Sequence, residues 1–291
     1  MLTTAVLGTG LLGLDLIERI QNSPHLTCGL VVGRTPGSRG LAQAAELGCA
    51  TATGGMDTLL DAGHFDVVFD ATSAFNHQEH AKKLADTGAV LVDLTPTSAG
   101  ALIVPTVNGH QAAAHQHIGL VSCGGQASIP ILHALAQRYR PSYVEMVATA
   151  ATASVGRASR LNLDEYVSTT QAAIGQFTGA ERAKAILNIS AARPAPPFRI
   201  AMTAVVADGV AQGPVGALVE AAETAVQAVI PGYRVTSCTV IGTTVRVIVE
   251  VTATRRRIPV HAGNLEVISA AAIHAAEQHA AATSGFKELS R

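Results

Sequence analysis

Tryptophan is absent from this chain of 291 residues, and the only larger aromatics are four tyrosines and six phenylalanines. Charged residues are also scarce, at 14% against 48% hydrophobic, and 27 glycines accompany abundant alanine and valine. This composition excludes a disordered or fibrous chain and suits a tightly packed α/β enzyme. A formal charge of −1 gives nucleic acid or an anionic membrane nothing to recognise, so neither is expected as a partner. No apolar run reaches the ~20 residues of a membrane span. The apolar start Met1–Leu12 has no basic leader and is broken by glycines, unlike a secretory signal. The four cysteines (Cys28, Cys49, Cys123, Cys238) are scattered without a CxxC pair. That argues against a disulfide framework or a metal site and for a reducing, cytoplasmic setting. No internal repeat or low-complexity linker interrupts the chain.

What is present begins with an apolar strand, Thr3–Leu7, then Gly8-Thr9-Gly10-Leu11-Leu12-Gly13, then a helix through Ile20 and a second strand, Thr27–Val32. Glycines between strand and helix allow a tight turn and close approach of a pyrophosphate to free helix N–H groups. The loop ending the second strand selects between NAD and NADP. It reads Gly33-Arg34-Thr35-Pro36-Gly37-Ser38-Arg39-Gly40, with no carboxylate to bind ribose hydroxyls. Arg34, Ser38 and Arg39 favour a phosphate and hence NADP(H), with NAD(H) the alternative if the arginines are only solvated. Strands at Asp66–Phe69, Ala89–Val92 and Ile118–Val121 continue the pattern of a parallel sheet ending in polar turns. His77, at a helix start, is expected to be satisfied locally or by solvent.

After the last of these strands stands Ser122-Cys123-Gly124-Gly125-Gln126-Ala127-Ser128-Ile129-Pro130, with helical periodicity from Ile131 to Arg138. A thiol at a strand-to-helix turn is favoured as thiolate by backbone N–H groups and the helix dipole. Paired glycines let a substrate reach amides able to stabilise an oxyanion. Pro130 suits a first helical turn. A small buried hydrophobe is the bland alternative, and it suits Cys28, Cys49 and Cys238 better.

The run Val121–Ala127 resembles the nucleophile motif of the acylating acetaldehyde dehydrogenases. So do blocks elsewhere in the same order: Val68–Ala74, Val92–Pro96, Asn162–Tyr166 with Thr169-Thr170, Lys184–Asn188 and Ala262–Leu265. The resemblance implies that Cys123 carries an acyl thioester and that coenzyme A is co-substrate. It implies that Thr9–Leu12 contact the cofactor pyrophosphate, and that the turn from Ser154 through Val155 and Gly156 to Asn162, with Asn264, lines the cofactor site. It further implies a small aldehyde or acyl thioester as substrate and a 4-hydroxy-2-oxoacid aldolase as a partner in some relatives. Departures are visible too. Arg34-Thr35 replaces the usual Ile-Asp pair, Met202 stands where the family carries an acid, and Gly156-Arg157-Ala158-Ser159 replaces Gly-Pro-Gly-Thr. No general base is identified; His77, His110, His261 and Asp164 are candidates only.

Strand patterns at Ser142–Ala151, Arg199–Val206, Tyr233–Val240 and Thr243–Val251 alternate with helical ones at Asn162–Phe177, Ala180–Ile189 and Pro214–Val229. The expected fold is α/β: a Rossmann-type dinucleotide-binding domain, residues 1–125 with 264–291, plus an α+β substrate and dimerisation domain, residues 126–263. A homodimer is expected. The expected activity is acylating aldehyde oxidation, or thioester reduction in reverse. The alternatives are a hydrolytic or phosphorylating semialdehyde dehydrogenase and a less active cofactor-binding partner of an aldolase.

Overall fold

The computed structural model describes residues 1–207 and 209–289, with side chains for all of these except 157, 158 and 284–289. The chain divides into two compact units, Met1–Leu120 with Ser269–Arg291, and Val121–Ile268. Cys123 falls just inside the second unit, whereas the sequence reading puts it at the end of the first.

The first unit alternates strands and helices: β1 Leu2–Leu7, α1 Leu11–Gln21, β2 Leu26–Gly33, α2 Arg39–Glu46, β3 Thr51–Thr53, α3 Met56–Asp61, β4 Val67–Asp70 and α4 Ala74–Leu84. It continues through β5 Val90–Asp93, β6 Ala101–Leu102, α5 Pro105–Asn108, a 3-10 turn and β7 His117–Gly119. The strands form one sheet in the order β3-β2-β1-β4-β5-β7-β6, and every pairing is parallel. β4 and β5 are buried at all four positions, as a parallel sheet covered on both faces requires. Leu7, Val32, Leu59, Phe65, Val68 and Leu91 share one core cluster. The chain leaves β1 towards β2 and β3, then returns to β4 on the other side. That reversal is the switch point where doubly wound sheets bind ligands, beyond the carboxyl ends of their strands.

The second unit opens with α6 Cys123–Tyr139, β8 Pro141–Ala151, a 3-10 turn, α7 Arg157–Leu161, α8 Leu163–Thr178 and β9 Arg182–Ser190. It then runs through β10 Phe198–Val206, α9 Gln212–Gln227, β11 Tyr233–Ile241 and β12 Thr244–Val251. α10, Gly263–Leu289, starts there and continues into the first unit's sequence. The five-stranded sheet has the order β11-β12-β10-β8-β9, antiparallel except for β8 with β9. Period-two alternation buries Val144, Met146 and Ala148 on β8, Ile200 and Met202 on β10, and Val247 on β12. α6, α8 and α9 pack together over this sheet.

Two sequence expectations need correction. Ala180–Ile189 reads as helix but forms β9. Its Ala, Glu and Lys content favours helix, yet its register with β8 supplies backbone partners along its length, and tertiary pairing overrides propensity. The helix after Cys123 begins eight residues earlier than its periodicity suggests. Ser122 caps it, and Pro130 lies inside α6 rather than in its first turn.

Candidate active site

In the first unit the glycine turn is built by close backbone approach. Gly8 has φ +113° and donates to Val32 O at 2.9 Å; a Cβ there would stand 2.6 Å from Ala71 O. A Cβ on Gly13 would collide with Gly8 O, so α1 can sit against the turn only with glycine at that position. Gly10 caps α1 in an extended conformation with open space beside it, and Leu11 is exposed. The first residues of α1 thus present free N–H groups outward. The start of α2 closes onto the same turn: Gly40 packs against Thr9 so tightly that a Cβ would strike Thr9 O. Ser38 caps α2, accepting from Leu41 N at 3.3 Å. Arg39 is the first helical residue, and Arg34 and Arg39 are both exposed.

Farther along the carboxyl edge, two aspartates fix the turns after their strands. Asp70 accepts from Thr72 N (3.0 Å), Thr72 Oγ1 (2.6 Å) and His80 Nδ1 (2.7 Å). Asp93 accepts from Thr95 N at 2.8 Å and Thr97 Oγ1 at 2.7 Å, and its Oδ2 lies 3.0 Å from His77 Nδ1. His77 is fully buried, so of the two expected ways of satisfying it the structure shows the local one, this pairing with Asp93. His77, Asp93 and His117 place one potential ligand atom each within 4.8 Å of one another. Both Asp93 oxygens already accept protein donors, which makes the group a hydrogen-bonded hub holding the β5 turn.

The second unit holds Cys123 as the first residue of α6. The residue two before it, Val121, is buried with φ +60°, a left-handed conformation that a β-branched side chain rarely adopts. Strain of this kind costs about 1–3 kcal/mol and gathers at functional turns. Ser122 Oγ accepts from Gly125 N at 2.9 Å and meets Thr170 Oγ1 at 2.7 Å. Gly125 leaves room for Val121, whose Cγ1 would be 2.6 Å from a Cβ, and Gly124 leaves room for the Tyr166 hydroxyl and for Met146. Cys123 is half-buried, and its sulfur lies 3.9 Å from Tyr166 Oη.

The expected resting thiolate is corrected here. Helix-start N–H groups and Tyr166 do pull the thiol downward, but burial outweighs them and pushes it up to about 11. At neutral pH these surroundings hold Cys123 as the neutral thiol. Tyr166 is raised well above its ordinary value, chiefly by burial, and stays protonated as well.

Elsewhere in this unit, Ser154, Asn162 and Asn264 are all buried, and Asn264 Nδ2 donates to Ser154 O at 3.1 Å. Arg160 ties the same turn together through Val155 O (3.1 Å) and Thr152 O (2.9 Å), while Gly156 is exposed. The side chains of Arg157 and Ala158 in that turn lie outside the described ones. Met202 is buried on β10 opposite Met146. His110 and Asp164 are exposed, and His261 is half-buried.

Residues 3–115 match the model of the semialdehyde dehydrogenase NAD-binding domain, and residues 123–259 match that of the prokaryotic acetaldehyde dehydrogenase dimerisation domain. An acetaldehyde dehydrogenase of Streptomyces griseus is 48% identical over 96% of this chain and 90% of its own length. The chain belongs to the acetaldehyde dehydrogenase family. Another family member, from Geobacillus stearothermophilus, is 38% identical over 94% of each chain. The fold is shared with a solved aspartate semialdehyde dehydrogenase II from Vibrio cholerae, with TM-score 0.67 and 13% identity over 96% of this chain and 98% of that one. Membership makes this chain an aldehyde oxidoreductase with a nicotinamide-binding domain. Among the described residues, no helix is long and apolar enough to cross a membrane. Tyr166 is the site residue that sequence reasoning misses. It stands 43 positions from Cys123, and only the packing of α8 on α6 joins them.

Proposed function

We propose that this chain is an acylating aldehyde dehydrogenase that interconverts a short aldehyde and an acyl-CoA through a thioester on Cys123. The observation carrying this reading is the placement of Cys123 at the capped start of α6, directly after the strained Val121. Attack of the sulfur on an aldehyde carbon forms a thiohemiacetal whose oxygen can take hydrogen bonds from the backbone N–H groups of Cys123 and Gly124 beside the sulfur. A nicotinamide cofactor, when bound, supplies the hydride acceptor. Loss of hydride from carbon and of the hydroxyl proton to solvent leaves a thioester, and the thiol of coenzyme A then displaces Cys123, its proton returning to the cysteine sulfur as acyl-CoA is released. The glycine turn would hold the cofactor pyrophosphate: Gly8 and Gly13 let the backbone of the turn and α1 pack closely, and Gly10 leaves open space beside the helix start. In the second unit, the turn from Ser154 through Val155 and Gly156 to Asn162, together with Asn264, would serve the cofactor too. Their mutual anchoring supports treating them as one element.

Acetaldehyde or propanal should be oxidised only when coenzyme A or another thiol is supplied. Turnover at the same rate without any thiol would replace this reading with a hydrolytic one.

The cofactor favoured is NADP(H). Arg34 and Arg39 flank a capped helix start packed on Thr9, and no carboxylate stands in that loop. Both arginines are exposed, so solvent screening holds their joint contribution to a phosphate at about 1.5–3 kcal/mol. Replacing both arginines by glutamine should therefore weaken NADPH about 10- to 100-fold and NADH by less than about threefold, read by fluorescence titration. Equal weakening of both would remove the phosphate argument.

The second unit is proposed to form a homodimer. Its sheet has an outer face, including Val147, Ala201 and Ile248, that is only half-buried in the single chain, a surface suited to a second copy.

A further inference from the structure

We propose that Tyr166 is a catalytic hydrogen-bond donor to Cys123, stabilising the thiolate when it forms for attack while remaining protonated itself. This rests on the reading of Cys123 as nucleophile and adds the group that makes the thiol usable. Burial is what raises the thiol, and the space beside the adjacent Gly124 is largely apolar, since a Cβ built there would meet Met146 Cε at 3.0 Å and Ala148 Cβ at 3.5 Å. A thiolate there is costly unless a donor faces it. Tyr166 is 5% exposed and points its hydroxyl at Sγ from 3.9 Å, sulfur hydrogen-bonding distance.

The hydroxyl is positioned from several sides. α8 presents Tyr166 and, one turn on, Thr170, whose Oγ1 donates to Tyr166 O at 2.5 Å and meets the capping Ser122 Oγ at 2.7 Å. Gly124 has no side chain, and any Cβ there would strike Tyr166 Oη, so the contact requires glycine next to the nucleophile. Among the groups facing this pair, burial and the neighbouring sulfur raise the Tyr166 pKa and prevail over the Ser122 hydroxyl and the Gly124 N–H, which lower it. A phenol that keeps its proton is a donor rather than a base. No covalent bond to Tyr166 forms or breaks, and its proton stays on oxygen throughout.

The test is alkylation of the full chain by iodoacetamide, with label mapped to the Cys123 peptide, from pH 7 to 10. In the unaltered chain the rate should climb about tenfold per pH unit, the slope of a thiol ionising near 11. Tyr166→Phe keeps the ring and removes only the donor. Losing one hydrogen bond to an anion raises the thiol by about one to two units. Part of that is offset because a more basic thiolate is more nucleophilic, so alkylation at fixed pH should fall about 3- to 15-fold. NAD(P)H affinity should not change. An unchanged or faster alkylation rate in Tyr166→Phe overturns the assignment. The labelling does not depend on turnover, so it decides the Tyr166 contact even if activity surviving in Cys123→Ala were to overturn the nucleophile reading.

Discussion

Cys123→Ala should lower thiol-dependent aldehyde oxidation by about four orders of magnitude or more while leaving NAD(P)H affinity and Tm nearly unchanged. The size follows from the role. Without sulfur there is no thiohemiacetal, and hydride loss from a free aldehyde or its hydrate has no covalent path to an acyl-CoA. The selectivity follows from the position. Cys123 is half-buried at the start of α6, where a backbone N–H does not depend on its side chain, and Ser122 keeps the cap through Gly125 N. Removing one sulfur from such a site costs about 1 kcal/mol of stability. Acyl transfer followed with a chromogenic thiol, together with fluorescence titration of the cofactor, measures both halves. Residual activity above about a tenth of the unaltered rate would show that the acyl group never rests on this sulfur.

The first unit is legible in the sequence because β1, β2, β4 and β5 carry apolar runs that end at a glycine or an aspartate. Gly8 and Gly13 announce a turn whose reason is steric and local, and the structure places a backbone oxygen where either Cβ would go. The strand at Arg182–Ser190 is hidden for the opposite reason. Its residues favour a helix, and only β8, distant in sequence, makes it a strand. Local pattern likewise cannot show that Val121 adopts a left-handed conformation, since valine is among the residues least suited to it. The cost of burying Cys123 is equally invisible. The helix start that argues for a thiolate is plain in Ser-Cys-Gly-Gly, but the burial that argues against it comes from tertiary packing that no local pattern shows. Hence position and residue type were readable, and ionisation state was not.

Gly10 and Gly13 separate what the fold needs from what a dinucleotide needs. Gly13→Ala puts a methyl into Gly8 O, so α1 must move off the turn after β1. Tm should fall by about 5 to 10 °C and NAD(P)H affinity by about 100-fold or more, because both the packing and the aim of the helix start are lost. Gly10→Ala should behave differently. Gly10 has φ −74° and ψ −175°, open to any residue, and a Cβ there meets nothing within 4 Å. Alanine is a somewhat poorer cap than glycine, so Tm should change by no more than about 2 °C. Yet the added methyl would occupy space beside the helix start that a pyrophosphate needs for close approach. Affinity should therefore fall about tenfold or more with the fold intact. If Gly10→Ala binds NAD(P)H as tightly as the unaltered chain, the pyrophosphate does not lie against this turn, and the glycines serve packing alone.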